Sequence, residues 1–138
     1  MYLEDLYDYK NKLMEDLLTN KNIVRLLDKD IKMEDAYKLA YKQVFPCEFV
    51  PETVHDGSTF ICFDVDVTES FDKTFYAPVL YIWVFSHRSQ LRLPDGGGVR
   101  PDKVCSEIAK AIDGSRYYGL GQLRLNSVRR FAPMTDYQ

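Results

Sequence analysis

Between residues 59 and 86 two runs of side chains limit the folds open to this chain. Over Thr59–Thr68 the residues alternate, with Ile61, Phe63, Val65 and Val67 on one side and Cys62, Asp64, Asp66 and Thr68 on the other. That period of two describes a strand with one wet face. Phe75–Ser86 differs, because Tyr76, Leu80, Ile82 and Val84 stand against Phe75, Val79, Trp83 and Phe85. A strand apolar on both faces is expected at the centre of its sheet or packed within an assembly.

Helices are needed to cover these strands. Leu3, Leu6, Tyr7, Leu13, Met14, Leu17 and Leu18 recur at helical spacing with acids and Lys12 opposite, which predicts an amphipathic helix over Leu3–Leu18. Thr19-Asn-Lys-Asn breaks it, and Asn22 is expected to cap a short helix over Ile23–Leu27. Met33, Ala36, Tyr37 and Ala40 permit another brief helix. Pro46 and Pro51 bracket an extended segment, Asp56-Gly57 marks a turn, and Pro94-Asp-Gly-Gly-Gly a loop. Asp102 is expected to cap a helix at about 102–113, buried through Val104, Cys105, Ile108, Ala109 and Ile112 and stopped by Gly114. A turn over Ser115–Gly121 leads to a last strand from Gln122 to about Phe131, with a bulge at Asn126-Ser127. The reading is a single α+β domain over 1–138, helical over 1–43. The sheet of 44–138 is mainly antiparallel, packed by the N-terminal helix and the later one.

Charge is divided unevenly. Residues 1–72 hold sixteen acids against eight bases, a net of −8, and seven of those bases are Lys; residues 73–138 hold five acids against ten bases, a net of +5, and seven are Arg. Arginine desolvates more readily than lysine and pairs bidentately with carboxylates. An acidic half and an Arg-rich half point to a subunit that docks its own complement head to tail, a contact that can close a ring. Arg88, Arg92, Arg100, Arg116, Arg129 and Arg130 are therefore the candidate subunit-interface residues. The net charge of −3 argues against a dedicated nucleic-acid binder. Three widely spaced cysteines, Cys47, Cys62 and Cys105, read as reduced thiols of a cytosolic product. The acidic opening predicts no secretory leader, and no apolar run approaches the length of a membrane span.

Chemical motifs are sparse. Asp64 and Asp66 share a strand face, with His55 and Asp56 nearby in sequence and His87 at the end of the next strand, a set that a divalent-metal nuclease could use. No lysine follows at strand spacing, and solvated acids are the plainer reading. Asp95-Gly-Gly-Gly-Val-Arg lacks the lysine and hydroxyl of a phosphate loop. No catalytic, metal-binding or cofactor-binding residue is assigned.

Four segments carry a resemblance: Thr59-Phe-Ile-Cys-Phe-Asp-Val-Asp-Val, Pro78-Val-Leu-Tyr-Ile-Trp-Val-Phe-Ser-His, Gly97-Gly-Val-Arg-Pro-Asp-Lys and Gly114-Ser-Arg-Tyr-Tyr-Gly-Leu-Gly. Through them the chain resembles the neck proteins of tailed phages and prophages of Gram-positive hosts, of the tail-completion, tail-terminator or head–tail connector kind. The resemblance implies a tail-terminator-like fold and a non-enzymatic virion subunit made in the host bacterial cytoplasm. It implies a ring, commonly a hexamer, that caps the tail tube and joins it to a head-side connector or head-closure protein. Genome DNA would pass the lumen without sequence-specific binding. The alternatives are a metal-dependent nuclease using Asp64 and Asp66, or a host adaptor binding an acidic protein partner.

Overall fold

The computed structural model describes residues 3–47, 58–69, 76–94, 96–115, 123–125 and 127–128. Helix α1 spans Leu3–Leu18, as the apolar spacing predicts. It buries Leu13, Leu17 and Leu18 and leaves Asp8, Asn11 and Glu15 exposed. Its end is marked by the Thr19 hydroxyl, which donates to the Glu15 carbonyl at 2.9 Å. Helix α2, Lys21–Leu27, begins earlier than expected, and its cap is Asn20 in place of Asn22. The extended backbone at Asn20 lets its side-chain oxygen accept from the Asn22 and Ile23 amides at 3.1 and 3.3 Å, satisfying two of the orphan donors of the first turn.

A seven-residue 3-10 helix, Met33–Leu39, follows. Its three-residue turn stacks Ala36 and Leu39 on one side, and both are buried. Next comes Tyr41, at φ 61 the one non-glycine residue with positive φ among the described residues. It swings the chain into β1, a two-residue strand of Val44 and Phe45.

Strands β2, Thr59–Glu69, and β3, Tyr76–Ser86, pair antiparallel in unbroken register from Thr59↔Ser86 to Glu69↔Tyr76. Strand β1 lies parallel on the other side of β2, so the sheet is mixed, in the order β1-β2-β3. Among the described residues β2 is thus the central strand and β3 an edge, so of the two positions expected from β3's apolar faces the central one is not the one observed. Both faces are apolar because each meets a different cluster. Leu80, Ile82 and Val84 pack on the main core, while Phe85 and Trp83 join Phe45, Phe60 and Cys62 in a second cluster. The same cluster corrects the expected wet face of β2, where Phe60 and Cys62 are buried. Polar character begins only at Asp64.

The main core joins Leu13 and Leu17 of α1, Ile23 and Val24 of α2, Leu39, Val44, Ile61 and Phe63. Helix α3, Arg100–Ile112, closes it with Val104, Ile108 and Ile112. Its N-cap is Val99 and not Asp102. Pro101 and Asp102 occupy the first turn, where a missing N–H and a negative charge are both favourable. Gly114 at φ 83 ends the helix, as expected from a residue that tolerates the left-handed region. Of the last strand expected from Gln122 to about Phe131, the described residues Leu123–Leu125, Ser127 and Val128 lie outside any strand. The backbone of Leu123 instead bonds Gly114 and Ser115 at 2.7 and 2.8 Å, and its side chain packs on the core. The rest of that strand, Pro51, Asp56-Gly57, most of the turn after Ser115 and half of the expected bulge lie outside the described residues. Among the described residues no helix is long and apolar enough to cross a membrane.

Candidate interaction surface

Where β2 begins and β3 ends, six segments of chain are tied by buried polar side chains. Gln43, turned inward after Tyr41, donates from its amide to the carbonyls of Leu27 at 2.9 Å and Thr59 at 3.0 Å. The Thr59 hydroxyl donates to the Gln90 side-chain oxygen at 2.7 Å. Having spent its one hydrogen there, Thr59 accepts from Ser86 across the strand pair at 3.1 Å. Arg100 donates through Nε to the Gln90 carbonyl at 2.8 Å and through a terminal nitrogen to the Leu26 carbonyl at 2.9 Å. The last carbonyls of a helix have no partner within it, and those of Leu26 and Leu27 in α2 are met by Arg100 and Gln43 from far along the chain. Gln43, Thr59 and Ser86 are buried, and a satisfied buried network of this kind holds its segments in one arrangement.

Cations surround this knot. Lys42 precedes Gln43 and is exposed; Arg88 opens the 3-10 turn Arg88–Gln90 and is exposed; Arg92 lies two residues beyond and is exposed. The turn is capped by the His87 ring, which accepts from the Ser89 amide at 3.2 Å. A backbone bridge between Arg92 and Val99 closes the glycine loop, where Gly96 and Gly98 hold φ 75 and 105. Of the candidate interface arginines, Arg88 and Arg92 are displayed here and Arg100 is half-buried in the knot. Arg116, Arg129 and Arg130 lie outside the described residues.

Farther along the strand pair the exposed face turns acidic. Asp66 is seven residues from Thr59, about 23 Å along an extended strand, and is exposed. Asp64 is not the solvated acid that its alternating pattern implies. It forms an ion pair with Lys10 of α1 at 2.6 Å, and Lys10 also donates to the Pro46 carbonyl at 3.2 Å. Burial pushes the Asp64 carboxyl up, but the Lys10 ammonium and the Val65 amide together outweigh it and hold the group below its ordinary value. Beside these acids Tyr81 is 44% exposed and stacks on Trp83 with ring centroids 6.0 Å apart.

Among the described residues the members of the candidate metal set lie apart. His87 is six residues beyond Tyr81, the register partner of Asp64, and so about 20 Å away along β3. His55 and Asp56 lie outside the described residues, among which no group of three or more His, Cys, Asp or Glu side chains is placed to hold a metal ion. On α3, Glu107 is held below its ordinary value first by the hydrogen bond from Lys103 and also by Lys110 and Asn22. The lysine contacts, at 3.2 and 3.6 Å, lie within α3, and the Asn22 amide, donating to Glu107 at 3.4 Å, ties α2 to α3. Cys47, Cys62 and Cys105 are thiols outside any disulfide, and burial and then Asp102 push the Cys105 thiol up.

Sequence reasoning found the cations and the acids but missed the knot and the Lys10–Asp64 pair. A glutamine or a threonine at an element's edge gives no periodic signal, and Lys10 is separated from Asp64 by more than fifty residues of chain. One sign was available: Gln43 directly precedes the apolar Val44-Phe45 pair.

Comparison with known proteins gives a single kind of match. No curated protein and no solved structure matches the chain. The model of a family described as YomW matches residues 20–138, all of the chain beyond α1's helical segment and Thr19. That name is of the type given to proteins of the Bacillus phage SPBc2 prophage, which points to a phage-derived protein. With so much of its length matched, the chain belongs to the YomW family.

Proposed function

We propose that this protein is a non-enzymatic structural subunit of a phage particle, assembled as a ring at the head–tail junction. The ring caps or completes the tail tube and joins it to a head-side connector or head-closure protein. The observation that carries this reading is the polarity of the strand pair. Exposed Lys42, Arg88 and Arg92 surround a rigid knot at one end, and farther along the pair stand Asp64, about 17 Å away at mid-strand, and Asp66, about 23 Å away. A subunit with complementary ends repeats head to tail, and the result is a closed ring when the rotation per subunit divides the circle. Phage descent supplies a particle in which such a ring has a use. The arginine loop then faces a neighbour or the tube, and the acids keep passing DNA from adhering.

The reading is tested by labelling the protein on intact particles of the phage that encodes it. Label confined to the neck is the expected result. Label on the head, on the tail tip or on no particle contradicts it, as does metal-dependent cleavage of DNA that Asp64→Ala abolishes in a folded variant.

A further inference from the structure

Tyr41 occupies the left-handed region at φ 61, where glycine or asparagine meets less steric opposition than a tyrosine does. The backbone has a reason to be there. The Tyr41 amide donates to the Val44 carbonyl at 2.8 Å, and the Lys42 and Gln43 amides both donate to the Leu39 carbonyl, at 3.0 and 2.9 Å. This tight turn drives Gln43 into the knot. The tyrosine ring has no such reason, being 71% exposed. A glycine would make the same turn with less strain, so the side chain is kept for what it displays. It stands beside exposed Lys42 and four residues from Tyr37, itself 66% exposed. Because Lys42 adjoins Gln43, this knuckle lies at the basic end of the strand pair.

Farther along the strand pair lies the complement: the exposed carboxylate of Asp66 and, at the middle of β3, the half-exposed Tyr81 ring, which share one face of the sheet. We propose that the Tyr41–Lys42 knuckle of one copy docks on the Asp66–Tyr81 patch of the next copy. The contact sets lysine against aspartate and tyrosine against tyrosine, the residue type most useful where one side is apolar and the other wet. The two surfaces are different parts of the subunit, one at the start of β2 and one from the middle of the strand pair onward, so the contact is heterologous and repeats from copy to copy. The inference rests on the ring reading and names the surfaces that would build the ring.

The test is the mass of the full chain in solution across a concentration series, with thermal unfolding measured on each variant. Lys42→Glu and Asp66→Lys should each weaken association by about tenfold or more, since each places like charges together. The double variant, with both charges exchanged, should recover to within about threefold of the wild type. Tyr41→Gly should weaken association while raising Tm by about 3 °C, because the strain is relieved. That opposition separates a displayed residue from a structural one. An oligomer indifferent to both charge changes, or not recovered by their combination, overturns the inference and leaves the ring reading standing. A Tyr41→Gly variant with no gain in Tm also overturns it. A wild type that stays monomeric at every concentration overturns both.

Discussion

Replacing Gln43 by Leu tests the polar knot with little change in volume. The side chain is 5% exposed, and its amide is shared between the Leu27 and Thr59 carbonyls at 2.9 and 3.0 Å. Leucine cannot donate. The Leu27 carbonyl ends α2 and has no helical partner of its own, and a buried acceptor left unsatisfied costs about 1–3 kcal/mol. The hydrogen bond lost to Thr59 adds about 1 kcal/mol, and extra apolar burial returns about 1. The expected net loss is roughly 1–3 kcal/mol out of a domain stability of about 5–15. Urea unfolding should show a lower midpoint at unchanged slope, and Tm should fall by about 4 °C for each kcal/mol in a domain of this size. A loss below about 0.5 kcal/mol would refute the reasoning, because water would then reach the Leu27 carbonyl and the knot would not be holding α2 against the sheet.

Other outcomes follow from the same contacts. Arg100→Glu should destabilise the folded chain by about 2–4 kcal/mol in the same titration, because two carbonyls lose a charged donor and the knot receives a carboxylate. Arg92→Glu, at an exposed position, should leave unfolding nearly unchanged, so Arg92 is the cleaner probe of assembly. Asp64 has its folded pKa depressed, so its contribution is present above the unfolded carboxylate pKa and is lost as pH falls through about 4 and below. Unfolding measured against pH should lose part of that acid slope in Lys10→Met. Phe63→Ala, at a fully buried position, should cost about 3–5 kcal/mol. Trp83→Ala, half-covered on the second face, should cost less than about 3 on the same measurement.

Long periodic elements were readable because their apolar positions repeat. Leu3–Leu18 is a helix at those bounds, and β2 and β3 begin and end within a residue of the alternating runs. What period alone hides is the third dimension. Val44-Phe45 is too short to show a period, so the parallel strand that makes the sheet mixed left no trace. The two-faced apolarity of β3 fits a central strand or one packed in an assembly equally well, and period alone does not reveal the second cluster under Phe60 and Phe85 that covers its other face. At the helix starts, Asn20 and Val99 were missed for Asn22 and Asp102. Several residues near each boundary could cap, and the backbone decides which one does. Among the site residues, Arg88 and Arg92 stood out by type alone. Arg100 looked the same in sequence, yet its guanidinium spans contacts ten and seventy-four residues away.

The central claim is that this chain joins phage heads to tails as a structural ring. The most direct measurement is a count of particles by electron microscopy after the encoding phage or prophage is induced with this gene deleted, with and without the wild-type protein supplied in trans. Filled heads and separate tails in the deletion, joined again on complementation, are the expected result. Complete, joined particles in the deletion would contradict the account.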